Sequence, residues 1–97
     1  MAYTRVMVFE NQIKWAEGMK LFRKHAEPSL KAAQKAGILN SYTLAQTGIN
    51  DGLLITTFDT KAKMNKFATA LSKARQSVEA ETGAQSWIYA GSVRAKG

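Results

Sequence analysis

The chain has 97 residues, 45% hydrophobic and 22% charged, with fourteen Lys and Arg against seven Asp and Glu and a formal net charge of +7. That length accommodates one domain, residues 1–97, and no second core. The absence of cysteine excludes a disulfide framework, thiolate metal sites and a cysteine nucleophile, and a single histidine leaves too few ligands for a metal site.

No apolar run approaches the roughly 18 residues that span a bilayer, so no membrane association is expected. The first residues lack the charged-then-apolar pattern of a signal peptide, which makes the cytoplasm the expected location.

Tyr3–Glu10 (YTRVMVFE) is rich in β-formers. Val6 and Val8 fall on one face, and Tyr3, Met7 and Phe9 on the other, so both faces are apolar and a central strand is expected. Asn11 is placed to cap a helix whose apolar stripe runs Trp15, Met19, Phe22, Ala26, Leu30 and Ala33. Gly37 closes it. Pro28 interrupts the stripe and either kinks this helix or restarts it, because proline lacks the N–H and disfavours helical geometry at Glu27.

ILNSYTLAQTG follows as a second strand, and Asn50-Asp51-Gly52 as a tight hairpin turn made of residues that tolerate positive φ. Leu53–Asp59 returns as the third strand. Asp59 or Thr60 caps a second helix with the stripe Met64, Phe67, Ala68, Leu71, Ala74 and Val78, ended by Gly83. Gln85–Arg94 is the last strand. The order βαββαβ is the ferredoxin-like pattern, an α+β fold with two helices on one face of a four-stranded antiparallel sheet. The other face carries apolar residues and must be buried, which predicts a homodimer.

The positive charge sits on the helices. Residues 11–36 hold six basic and two acidic side chains, residues 61–83 five and two, and the remainder balances. Solvated helix surface accounts for such a distribution. The RNA-recognition fold shares the βαββαβ order, but its third strand needs a basic-Gly-aromatic motif. LLITTFDT has one Phe and no such lead-in, so nucleic acid is not an expected partner.

The most local motif is H-x-x-P-x-L followed by G-x-x-x-x-Y, carried by His25, Pro28, Leu30, Gly37 and Tyr42. With the element order, it resembles the dimeric α/β-barrel superfamily, which includes antibiotic-biosynthesis-monooxygenase-like and EthD-like families. The resemblance implies two ferredoxin-like protomers packed sheet to sheet into an α/β barrel, with a small-molecule pocket between sheet and helices. Many members are cofactor-independent oxygenases or decyclases of aromatic or polyketide-like substrates, some bind haem, and others have no known activity. The expectation is therefore a small-molecule-binding protein, a monooxygenase-like enzyme without a cofactor acting on an aromatic or polyketide-like substrate, with a small apolar or acidic ligand as its partner. A non-catalytic structural or regulatory homodimer is the alternative, and the sequence leaves open whether the protein is an enzyme.

Five residues are candidates for such a site. His25 lies at the margin of the helical stripe, where a base near neutral pH could reach a pocket mouth. Arg75 occupies an apolar position of the second helix, either snorkelling at the core edge or clamping a carboxylate. Arg5 shares a strand face with Tyr3, Met7 and Phe9 and needs a ligand or a carboxylate, with Glu10 and Asp59 as structural partners. Tyr42 and Trp87 add aromatic surface on strands, in the core, at an interface or against a ligand.

Overall fold

A computed structural model describes residues 2–97, the side chain at position 82 excepted. Its strands are β1 (Tyr3–Glu10), β2 (Ser41–Gln46), β3 (Asp51–Phe58) and β4 (Gln85–Ser92). They form one antiparallel sheet in the order β2-β3-β1-β4, the ferredoxin-like arrangement with β1 central. The register sets the faces: Arg5 pairs with Thr56 and Ala90, and Met7 with Leu54 and Ile88. Because side chains alternate along a strand, Tyr3, Arg5, Met7 and Phe9 share the face of Leu54, Thr56 and Phe58. That face carries the helices.

The first helical unit is α1 (Trp15–Leu21), a π-helical turn (Phe22–Ala26) and α2 (Glu27–Lys35). Pro28 explains the turn. It has no N–H to give to the Lys24 carbonyl, and its ring would collide with that group. The helix widens by one residue, so that the Glu27 N–H bonds the Phe22 carbonyl, and Pro28 falls in the first turn of α2. The helix is thus neither simply kinked nor stopped. Gly37, at φ 74°, takes the left-handed conformation that ends the unit.

The long helix α3 (Lys61–Thr82) starts at Thr60, whose Oγ1 accepts from the Lys63 N–H at 3.2 Å, and ends at Gly83 with φ 67°. Its buried stripe of Met64, Phe67 and Leu71 packs with Leu30, Leu54 and Phe58 to form the core. The lysines of the helices are exposed almost throughout, as a solvated surface requires.

Two local expectations are corrected. Asn11 does not cap α1: Lys14 holds the cap position without a side-chain bond, and the Asn11 N–H bonds the Asn50 carbonyl instead. The hairpin turn lies earlier than Asn50-Asp51-Gly52. It spans residues 47–50, with the Thr47 N–H on the Asp51 carbonyl at 3.0 Å, while Asp51 and Gly52 already pair in β3. Among the described residues no non-glycine has positive φ.

Candidate functional site

A cavity of about 80 Å³ lies between the sheet and the helices. Met7 and Phe9 of β1, Leu44 of β2 and Leu54 of β3 make its floor. Trp15 and Gly18 of α1, with Phe22 and Ala26 of the π turn, form one wall. Leu71, Ala74 and Val78 of α3 form the other. The lining is predominantly apolar, and its polar groups are Asn11, Arg75, Glu79 and Ser86.

The sequence builds this space in two ways. Glycine at position 18 leaves a helical position without a side chain, and the nearest atom to a Cβ there would be Asn11 Nδ2 at 3.6 Å. Gly52 lets the rings of Trp15 and Phe9 settle on β3: a Cβ would meet Trp15 Cζ2 at 2.6 Å and Phe9 Cζ at 2.7 Å. The two rings stand 6.0 Å apart at 48°. Trp15 Nε1 is buried and has no hydrogen-bond partner among the described residues.

Three polar side chains form one network. Arg75 Nε donates to Glu79 Oε1 at 3.1 Å and to Ser86 Oγ at 2.9 Å, and Ser86 Oγ donates to Glu79 Oε1 at 2.6 Å. This ties α3 to β4 and holds a half-buried cation and carboxylate at the cavity. Arg75 thus occupies its apolar stripe position because Glu79, one turn on, and Ser86 receive it.

The other four sequence candidates lie elsewhere. Arg5 is 5% exposed, under α3, with its guanidinium 6.0 Å from the Phe67 ring centre. It makes no ion pair with Glu10 or Asp59; Asp59 bonds Asn40 at 2.7 Å and pairs with Lys63. Burial lowers the Arg5 pKa below its ordinary value, and the nearby Arg75 charge lowers it further. The Asn40 hydrogen bond holds the Asp59 carboxyl below its ordinary range, assisted by Lys63.

His25, in the π turn, contacts Glu81 of α3 through Nε2 at 3.2 Å and is not part of the cavity lining. Tyr42 is half-buried against the core, on the helix-bearing face of β2. Trp87 pairs with Val8 and lies on the opposite face, 44% exposed. On that face Val6 and Val8 of β1 lie between Leu53 and Ile55 of β3 and Trp87 and Tyr89 of β4, with no helix over it among the described residues. Trp15 and Phe22 are legible as helix positions, but nothing in the stripe distinguishes a cavity wall from a filled core.

No protein-family model matches the sequence, and no curated protein is significantly similar to it. Several solved structures are similar in fold. A dimeric ferredoxin-like protein from an uncultured marine organism superposes with a TM-score of 0.79 at 11% identity, over 99% of this chain and 97% of that one. SnoaB, a cofactor-independent oxygenase from Streptomyces nogalater, gives 0.75 at 16%, over 98% and 95%. Rv0793 from Mycobacterium tuberculosis gives 0.76 at 8%, over 99% and 98%. The chain has the ferredoxin-like α+β fold of these structures.

Proposed function

We propose that the protein is a homodimer, packed sheet to sheet, that binds an apolar small molecule in the cavity of each protomer and oxygenates an aromatic substrate without a cofactor. The observation that carries this reading is the apolar cavity between sheet and helices, with the Arg75–Glu79–Ser86 network at its edge. Apolar concavities with a few converging polar groups are the usual form of small-molecule sites. The volume is roughly half of the 150 Å³ in which a buried apolar cavity holds benzene, so an aromatic ligand must also occupy the opening.

The dimer rests on the uncovered face. Val6, Val8, Leu53, Ile55, Trp87 and Tyr89 would otherwise leave a continuous apolar surface in water. Covering that face with a second copy leaves the cavity, on the opposite side of the sheet, unobstructed. The oxygenase named for Streptomyces nogalater supplies the class of reaction by fold analogy alone.

One observation favours a second reading, a ligand-binding homodimer with a structural or regulatory role and no chemistry. Glu79 is the cavity's one carboxylate among the described residues, and Arg75 and Ser86 already engage it. His25 is turned to Glu81. Binding and oxygen uptake measured with 1-naphthol separate the two readings, with Gly18→Leu as the cavity-filling control. Uptake that requires the protein and is lost in the variant supports the oxygenase. Binding lost in the variant without any uptake supports the second reading, and binding unaffected by the variant removes the cavity from both.

A further inference from the structure

The uncovered face of the sheet is graded from end to end. Alternation and register set its side chains in rows across β3, β1 and β4. Asp51, Glu10 and Gln85 form the first row, and the apolar rows of Val8 and Val6 follow. The last row is Thr57, Thr4 and Gly91, with Ser41 of β2 beside Thr57. One end thus carries two carboxylates directly opposite each other, an arrangement that destabilises a strand pair. Neither carboxylate has an ion pair or a hydrogen bond among the described residues.

The other end offers what they lack. Ser41 Oγ and Thr57 Oγ1 share one hydrogen bond at 2.6 Å, which leaves one of their two protons to donate. The Val93 N–H bonds the Ala2 carbonyl at 2.8 Å, so the exposed Arg94 and Lys96 follow at this end. Asp59 succeeds β3 here, and Asn40 and Lys63 already engage it.

Two copies packed face to face are related by a two-fold axis lying between their sheets. With the axis along the strands, like ends meet, and four carboxylates gather at one edge of the interface without a counter-charge. With the axis across the strands, each acidic row meets the hydroxyl row of the other copy. The apolar rows meet in both arrangements, so hydrophobic burial does not choose between them, whereas the charged ends do.

We propose that the protein adopts the second arrangement, with Asp51 and Glu10 of each copy lying against Thr57 and Thr4 of the other. The inference rests on the dimer proposed above and adds the orientation of the partner.

The test is the dimer affinity of Thr57→Lys, measured by sedimentation together with Asp51→Asn and the double variant. Thr57 and Asp51 lie six residues apart on β3, about 20 Å, so within one chain they do not couple. Thr57→Lys sets a cation against Asp51 of the other copy, twice by symmetry, and should tighten the dimer about fivefold. Asp51→Asn should remove most of that gain. Like ends would instead bring the two introduced cations together and weaken the dimer. An unchanged or weaker dimer, or a gain that survives Asp51→Asn in full, would overturn the orientation and leave the dimer intact.

A second readout needs no variant. In a native dimer of one isotope-labelled and one unlabelled copy, NOEs between protomers should join the Thr57 and Thr4 methyls to the methylenes of Asp51 and Glu10. NOEs between protomers that join those methyls to one another would overturn the orientation. A native protein that stays monomeric would overturn both the orientation and the dimer.

Discussion

The backbone of Gly52 and the indole of Trp15 occupy adjoining space: a Cβ on Gly52 would lie 2.6 Å from Trp15 Cζ2. The same Cβ would stand 2.8 Å from the Ala45 carbonyl oxygen, a backbone atom that cannot swing away. Gly52→Ala should therefore cost about 1–3 kcal/mol of unfolding free energy, as overpacking does. Urea denaturation checks this. The variant should also displace Trp15 and lower affinity for cavity ligands, whereas unchanged stability would mean that β2 and β3 can part to admit a methyl group.

This glycine also marks where sequence reasoning succeeds and where it stops. The alternation in β1, the stripe of α3 and the terminal glycines Gly37 and Gly83 are local signals, and each was legible before the fold was known. Asp51-Gly52 reads as a turn because glycine serves both tight turns and close approaches, and only the partner residue tells them apart. Trp15 reads as core, since an unpartnered N–H is a property of its neighbours. Trp87 could not be assigned to a face without the pairing of Val8 that fixes the β1–β4 register. The extra residue of the π turn shifts the helical phase before Pro28, and Glu81 belongs to α3, so no spacing within the first helix leads to the His25 contact.

Arg5 is a buried cation with no ion pair among the described residues. Its folded pKa lies below its unfolded value, so charging it opposes the fold at every pH below the folded value, and that penalty is relieved only as pH rises through it. An arginine stays charged throughout the neutral range, so the effect has no window there. Arg5→Met keeps the packing against Phe67 and removes the charge. It should raise stability by an amount on the order of 1 kcal/mol, uniformly between about pH 5 and 9. A loss above about 2 kcal/mol would show that the guanidinium's contact with Phe67 outweighs its desolvation.

The Arg75–Glu79–Ser86 network couples α3 to β4 beside the cavity. Ser86→Ala removes the 2.6 Å bond to Glu79 and should cost about 1 kcal/mol in chemical denaturation. Glu79→Gln in the same background should cost less than it does alone, because the two residues share one network. Strict additivity would indicate that the three side chains act separately.

His25 and Glu81 join the π turn to the end of α3 at 3.2 Å, with the Glu81 side chain 46% exposed. A double-mutant cycle with His25→Ala and Glu81→Gln should give a coupling below about 1 kcal/mol, as for other solvent-accessible pairs. Affinity for cavity ligands should be unchanged in both single variants. A tenfold or greater loss in His25→Ala alone would bring His25 into the site.

The uncovered sheet face is the surface on which the proposed dimer depends. Val8→Asp places a charge at its centre, opposite both Leu53 and Trp87. Light scattering behind a sizing column should give twice the 10.7 kDa chain mass for the native protein and a lower average for the variant. A native protein that remains monomeric and well folded at micromolar concentration would contradict the dimer and leave the cavity untouched.

The most direct test of the binding reading is a methyl-resolved NMR titration of the full chain with α-methylstyrene, repeated on Gly18→Leu. The leucine side chain of that variant enters the cavity with only Asn11 Nδ2 near its Cβ, so the variant should fold. In the native protein, shifts should concentrate on Met7, Leu44, Leu54, Leu71 and Val78, and the same titration of Gly18→Leu should leave those methyls still. Shifts confined to Val6, Val8, Leu53 and Ile55, or shifts at the cavity that survive in Gly18→Leu, would contradict it.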